Sequence, residues 1–329
     1  MSKHDILVTG IQPTGPLHIG NYIGAVKNML RLQDEYSGRM FVFVADYHSI
    51  TADYNPKEKQ AQVLLLASEL LALGINPKKV VLYVQSKVPE VTELAWIFNT
   101  VTPISFLERM TQFKDKSERQ KENINVGLFD YPVLQAADIL VMKGMAVPVG
   151  ADQVQHVELT RDVARFFNRR FSETFFEPKP LLAEVPRVMS LIDPTKKMSK
   201  SVSGSFISLA DEPAEIRNKL RGAVTDLGPK TDGMSAGVKN LFTLLKEFGS
   251  GADVKKMESA YSGGALKYVE LKDLIAERIA EHFADFRKQR AQLLKNPTKI
   301  KKILREGAER ARQIAKKTMD EVLKKTGLR

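Results

Sequence analysis

The chain has 329 residues, 43% of them hydrophobic and 27% charged, a balance that predicts a soluble globular protein of two domains. The absence of cysteine excludes disulfides, thiolate zinc sites, cysteine-held iron–sulfur clusters and a thiol nucleophile. The formal charge is +11 and is concentrated: His282–Arg329 holds 15 basic and 5 acidic residues, while the rest of the chain is nearly balanced. Clustered cations attract polyanions, so nucleic acid is the expected partner of this segment. A membrane surface is not, because Phe283 and Phe286 supply little apolar area opposite the charge. Near the start the only apolar run is Ile6–Val8, and the longest aliphatic stretch is Val63–Ala67. Neither a leader nor a membrane span is expected, and a cytoplasmic location is.

In chain order, the first two hundred residues alternate strand-like and helix-like patterns. Ile6–Thr9 is an apolar strand ended by Gly10, followed by a Pro/Gly loop and a helix from about His18 to Gln33. Met40–Ala45 is a second strand. Pro56 opens a helix that runs through Leu73 and closes at Gly74. Val80–Val84 is a third strand, Pro89–Val101 a helix, and Gly127–Lys143 another helix, with a start after Pro132 as one option. Trp96, the sole Trp, lies on an apolar helix face and is expected in the core. The charged run Lys114–Asn123 has no apolar face and is expected as an exposed helix or mobile loop. Such alternation predicts an α/β fold with a Rossmann-like parallel sheet. Ligands would then sit beyond the carboxyl ends of the strands, at Gly10–Gly20, Asp46–Thr51 and Val147–Gln153.

After Ser203 the pattern turns all-helical: Asp211–Val224, Val238–Phe248, Ala252–Tyr261, Leu266–Leu294 and Thr298–Leu323, with a break at Pro297. The expected division is a catalytic domain over 1–204 and an all-α helical domain over 205–329, whose last helix can pack back on the first domain.

Three constellations carry chemistry. Gly10-Ile-Gln-Pro-Thr-Gly-Pro-Leu-His18-Ile-Gly20-Asn21 delivers a His and an Asn to a helix start, where free N–H groups favour phosphate. Neither GxGxxG nor a P-loop is present. Lys196-Lys197-Met198-Ser199-Lys200-Ser201 places lysines among small hydroxyl residues, which suits a developing polyphosphate charge as well as plain solvation. On Gly127–Lys143, Tyr131, Gln135, Asp138 and Met142 recur at spacings of four, three and four, on one face. That face fits a half-buried binding cleft or a core polar network. The five histidines are scattered, with no metal-ligand spacing, so no protein-held metal is expected. Asp46 and His48 are expected to cap or to support other groups.

HIGN and KMSKS, in this order, resemble the signature pair of the class I aminoacyl-tRNA synthetases. GIQPTG, VPVGADQ with QHVELTRD, and MSLIDPTKKMSKS resemble the tryptophan branch over essentially the whole chain. The resemblance implies ATP-dependent ligation of L-tryptophan to tRNA(Trp) through a tryptophanyl-adenylate, in a homodimer, with Mg2+ bound to ATP. It implies phosphate contacts for His18 and Asn21, close nucleotide approach at Gly20, and neutralisation of pyrophosphate by Lys197 and Lys200, with Ser199 and Ser201 assisting. Gln12, Pro13, Thr14, Gly150, Ala151, Asp152, Gln153, Val188 and Met198 would shape the ATP site, with Asp152 on the ribose. Asp138 would accept the indole N–H, and Tyr131 with Gln153 would hold the α-amino group. Gln135, Val8 and Gly10 complete the expected pocket. The commonest tryptophan pattern has Met in place of Gln135, and Tyr-x3-Gln-x2-Asp also occurs in tyrosine enzymes, which keeps that relative open. Those enzymes, however, carry a phenol-binding Tyr where this chain has Val8, and a buried hydroxyl lacking one partner costs about 1–3 kcal/mol. The remaining alternatives are another nucleotide-transferring enzyme and a non-catalytic, RNA-binding paralogue.

Overall fold

Five parallel strands lie in the part of the chain that ends at Leu182: β1 (Ile6–Ile11), β2 (Arg39–Val44), β3 (Val80–Val84), β4 (Ala146–Val149) and β5 (Lys179–Leu182). They form one sheet in the order β3-β2-β1-β4-β5. The register pairs Val8 with Phe41, Phe41 with Val81, and Leu7 with Ala146. Sequence pattern does not disclose β5, which begins Lys179-Pro180; its four residues are too few for a legible alternation. The computed structural model describes residues 5–111, 113, 123–150, 153–182, 186–200, 202–225 and 233–329. Among these, the helices are α1 (Ile19–Asn21), α2 (Lys27–Glu35), α3 (Pro56–Ala72), α4 (Glu90–Asn99), α5 (Ile104–Glu108), α6 (Val126–Val141), α7 (Val154–Arg170), α8 (Pro213–Arg221), α9 (Ala236–Phe248), α10 (Gly251–Ser262), α11 (Tyr268–His282), α12 (Ala284–Leu294) and α13 (Pro297–Thr326). This is the expected α/β class: a Rossmann-like sheet with a helical region after it.

Where the sequence suggests one cut after residue 204, contacts draw two interleaved units: Met1–Gly15, Asn28–Glu184 and Leu293–Arg329, and Pro16–Lys27 with Val185–Gln292. The reason is packing over distances that periodicity does not record. In the first unit, α13 lies against β3 so closely that a Cβ on Gly307 would sit 1.9 Å from the Leu82 carbonyl oxygen. Only glycine permits that approach. Arg312 of the same helix clasps the buried Glu90, with Nε at 3.0 Å and Nη2 at 2.9 Å from Oε1. Lys143 Nζ donates to Glu321 at 2.8 Å and to the Thr174 carbonyl at 2.7 Å. Part of the basic helix's charge therefore turns inward as clamps.

In the second unit, the segment around Ile207 runs beside the start of α1. Ile19 N–H donates to the Ile207 carbonyl and Leu209 N–H to that of Leu17, each at 3.0 Å. Between α1 and α2 the helix widens into a π-helical turn, Tyr22–Val26. Tyr22 there meets an aromatic cluster, with ring centroids 5.0 Å from Phe283, which itself lies 4.7 Å from His282. Burial of Phe283 explains why the expected helix Leu266–Leu294 is broken: the backbone leaves helical geometry at that residue to seat its ring.

Two further expectations change. α6 is continuous from Val126, capped by the Asn125 side chain on Leu128 N–H, and contains Pro132 rather than starting after it. Trp96 is 72% exposed rather than in the core, because α4 turns Val91, Leu94, Ala95, Ile97 and Phe98 inward and leaves Trp96 on the opposite side.

Candidate active site

The strand order changes direction between β1 and β4, and open parallel sheets bind ligands beyond the carboxyl ends of their strands at such a point. Gly10 lies at this end of β1, where a Cβ would meet the Phe43 ring at 2.5 Å, so the backbone there stays bare. Beyond it follow Gln12 and Thr14, both exposed, on either side of buried Pro13. Gly150 follows β4 directly, and Gln153 N–H closes back on its carbonyl at 3.0 Å to start α7. Val8, earlier on the same strand, is fully buried in the core against Gly144.

The face of α6 singled out by spacing carries a polar network. Asp138 is 1% exposed. His48 Nε2 lies 2.8 Å from its Oδ2, and Gln85 Nε2 donates to both oxygens at 2.8 Å. Burial pushes the Asp138 carboxyl above its ordinary range, while the His48 and Gln85 hydrogen bonds pull it back. Each carboxylate oxygen has two acceptor positions. Among the described residues Oδ2 spends both and Oδ1 one, which leaves one acceptor position on Oδ1. Tyr131, about two turns earlier, has its hydroxyl 2.8 Å from His156 Nε2, and burial raises its phenol well above the usual range. Gln135, between them on this face, is half-buried.

Asp46 ties the same corner together, its Oδ1 accepting from Tyr47 N–H at 3.1 Å and Ser86 N–H at 2.9 Å. The supporting role expected of His48 corresponds to an observed bond, whereas Asp46 binds backbone N–H groups without being the cap of either short helix there. Sequence reasoning misses Gln85 and His156. Gln85 had a signal, being the first polar residue after the apolar run Val80–Val84, at the end of a strand where ligands gather. His156, inside QHVELTRD, had none beyond the motif around it.

HIGN and KMSKS meet in the second unit. His18 is buried, its N–H donating to Asn21 Oδ1 at 3.2 Å, and its carbonyl accepts from Asn21 and Tyr22. A Cβ on Gly20 would lie 2.9 Å from the His18 ring and 3.7 Å from Met198 Cβ, so Gly20 sits between the two motifs. Burial, aided by the Lys200 charge, holds the His18 imidazole down at about 4, so it is neutral near pH 7. Its Nδ1 is buried and has no hydrogen-bond partner among the described residues. Met189 pairs with Lys197 in an antiparallel bridge, and Met198 N–H donates to buried Val188 at 3.2 Å. Met198 is buried, Lys197 exposed, and Ser199 and Lys200 half-buried, so the methionine anchors what the lysines extend from. Ala151, Asp152, Ser201 and positions 114–122 of the charged run lie outside the described residues. Among those described, no three His, Asp or Glu side chains are placed to hold a metal ion, and no helix is long and apolar enough to cross a membrane.

The chain is similar to known proteins in sequence and in overall structure. The family model for tRNA synthetases class I (W and Y) matches residues 2–284. The chain is 42% identical to tryptophan–tRNA ligase 2 of Streptomyces avermitilis, over 98% of its length and 96% of that protein. Its structure is similar to tryptophanyl-tRNA synthetase of Campylobacter jejuni complexed with ADP and tryptophan, with TM-score 0.85, 37% identity, and 98% and 99% of the chains covered. The Mycoplasma pneumoniae tryptophanyl-tRNA synthetase is similar too, with TM-score 0.85, 32% identity and 98% of each chain covered.

Proposed function

The chain belongs to the class I tRNA synthetases of the tryptophan and tyrosine family and is an ATP-dependent tryptophan–tRNA ligase, and from that premise we propose how its residues divide the work. In the first step the tryptophan carboxylate attacks the α-phosphate of ATP, forming tryptophanyl-adenylate and releasing pyrophosphate; the acyl group then passes to tRNA(Trp). Phosphoryl chemistry of this kind asks the protein for positioning and for stabilisation of accumulating charge.

The observation that carries the nucleotide half is the meeting of His18, Gly20 and Met198, with the Lys200 charge felt at the imidazole. A neutral His18 can donate to a phosphate oxygen without adding a competing charge. Asn21 shares the phosphates, Gly20 lets the nucleotide approach, and Lys197 and Lys200 neutralise the departing pyrophosphate, helped by Ser199 and Ser201. Gln12, Pro13, Thr14, Gly150, Ala151, Asp152, Gln153, Val188 and Met198 frame the rest of the nucleotide. Mg2+ arrives with ATP, since magnesium is commonly held by substrate phosphates and one or two carboxylates.

Asp138 reads the amino acid. Its single remaining acceptor position, on Oδ1, suits one indole N–H, and His48 with Gln85 holds the carboxylate in place for it. Tyr131 and Gln153 take the α-amino group, and Gln135 lines the same face. Exposed cations of the terminal helices, among them Lys299, Lys302, Arg305 and Lys316, supply the tRNA contacts, in a helical region that includes the anticodon end of binding. The protein works as a cytoplasmic homodimer. Trp96, Ile104 and Val126, exposed on α4, α5 and α6, of which α4 and α5 each pack on α6, support an apolar dimer face.

Exchange of labelled pyrophosphate into ATP, run with tryptophan and tyrosine side by side, tests the reading. Exchange with tryptophan alone is expected. Exchange with tyrosine would overturn the role given to Asp138 and Val8, and silence with both would return the non-catalytic alternative.

A further inference from the structure

One side chain of the helical region holds the base of the lysine-bearing segment. Asn240 lies in the middle of α9 and is 5% exposed. Its Oδ1 accepts from Met189 N–H at 2.9 Å, and its Nδ2 donates to the Met189 carbonyl at 3.0 Å. A neighbouring strand would offer the same pair of bonds; here a helix side chain supplies them.

The geometry of the pairing explains why Met189 is free to receive them. Ser190 N–H donates to the Lys196 carbonyl at 2.8 Å and Met198 N–H to that of Val188 at 3.2 Å. These bonds flank the Met189–Lys197 pair, so the two residues face each other without bonding, and each turns its own N–H and carbonyl outward. Met189 turns them to Asn240. Lys197 is thereby mounted on a two-stranded edge whose far side is fastened to α9. A second bond from the same region, Val224 N–H to the Leu191 carbonyl at 2.8 Å, fixes the next outward-facing position. Asn in a helix interior is a poor helix former, and burying its amide is costly unless both ends are bonded. Among the bonds described for Asn240, its side chain spends both on Met189.

We propose that Asn240 is a positioning residue for amino-acid activation: it fixes the base from which Lys197, and Lys200 beyond it, reach the departing pyrophosphate. This rests on the reading of those lysines given above. It makes α9 part of the activation machinery as well as of the helical region.

The test is a double-mutant cycle on pyrophosphate exchange with the full-length protein: Asn240→Ala, Lys197→Ala and the two combined. Asn240→Ala is expected to lower kcat about 10- to 100-fold, as misplacement of a charge-stabilising group does. KM for tryptophan should stay within about twofold. In the Lys197→Ala background, Asn240→Ala should add little, leaving the double variant within about twofold of Lys197→Ala, since a residue that acts through Lys197 has nothing left to position. A double variant whose losses multiply, or a tryptophan KM that rises in step with the fall in kcat, would overturn the proposal in favour of general destabilisation. Lys197→Ala with normal exchange would overturn the lysine reading itself and the proposal with it, an outcome visible before the second substitution is made. Should Asn240→Ala not fold, Asn240→Asp keeps the acceptor for Met189 N–H, removes the donor and takes its place in the same cycle.

Discussion

The surroundings of Asp138 and of Lys197 solve opposite problems. The carboxylate is almost wholly buried and holds bonds from His48 and Gln85 before any ligand arrives. The lysine is exposed, and what is fixed is the strand edge beneath it. Discrimination between similar amino acids depends on a polar group that cannot rearrange to satisfy the wrong partner, which favours burial and prior pairing. Charge appearing only as pyrophosphate departs is better met by a cation that keeps its hydration and its reach until then. In the proposed division of work, selectivity and rate are carried by side chains of contrasting exposure, so each should be open to disturbance without the other.

The largest expected effect is on the exposed side. Lys200→Ala should lower kcat for pyrophosphate exchange about 10²- to 10³-fold with little change in the KM for tryptophan, because the contact matters chiefly in the transition state. An equal loss in tryptophan binding would break the contrast. On the buried side, Asp138→Ala should cost about 10- to 100-fold in kcat/KM for tryptophan, the value of a hydrogen bond to a charged group. Preference over phenylalanine should shrink by a similar factor. Unchanged preference would remove Asp138 from recognition. Gln85→Leu is a smaller step, about fivefold in KM for tryptophan with the KM for ATP unaffected, since it loosens the carboxylate without removing it. A rise in the KM for ATP would show that the two regions are not separable at that residue.

A separate effect, on stability rather than activity, is a pH dependence at His18. In the unfolded chain its imidazole takes a proton near 6.5, but in the folded protein not until about 4. Between those values the unfolded state binds more protons, so stability falls as the pH falls from 6.5 toward 4 and is fully retained above 6.5. Urea unfolding at pH 7 and at pH 5 should show a smaller acid loss in His18→Asn than in the unsubstituted protein. Equal losses would mean that His18 is already protonated when folded at pH 5.

Much of the site is legible in the amino-acid sequence, and the particular residues show why. HIGN and KMSKS are legible as a pair in a given order, whose resemblance to the class I synthetases implies their chemistry, and the four-three-four spacing on α6 puts Tyr131, Gln135 and Asp138 on one face by helix geometry alone. The partners of that face are not legible. His48 and Gln85 reach Asp138 from 90 and 53 positions away in the chain. They meet it because strand order brings the ends of β2 and β3 to α6. Likewise Asn240 meets Met189 across 51 positions.

Local elements could be read from the sequence: that the runs of β1, β2 and β3 are strands, that Pro56 starts a helix and Gly74 ends it, and that a loop rich in Gly and Pro precedes His18. Those features follow from backbone stereochemistry and side-chain period, which act over a few residues. Packing settles that Trp96 faces outward, that Phe283 breaks a helix to reach an aromatic cluster, and that Gly307 lets the last helix lie against β3. Each depends on which surfaces are already covered by distant parts of the chain. Burial belongs to the assembled packing, whereas periodicity states only which face of an element is ready to be covered.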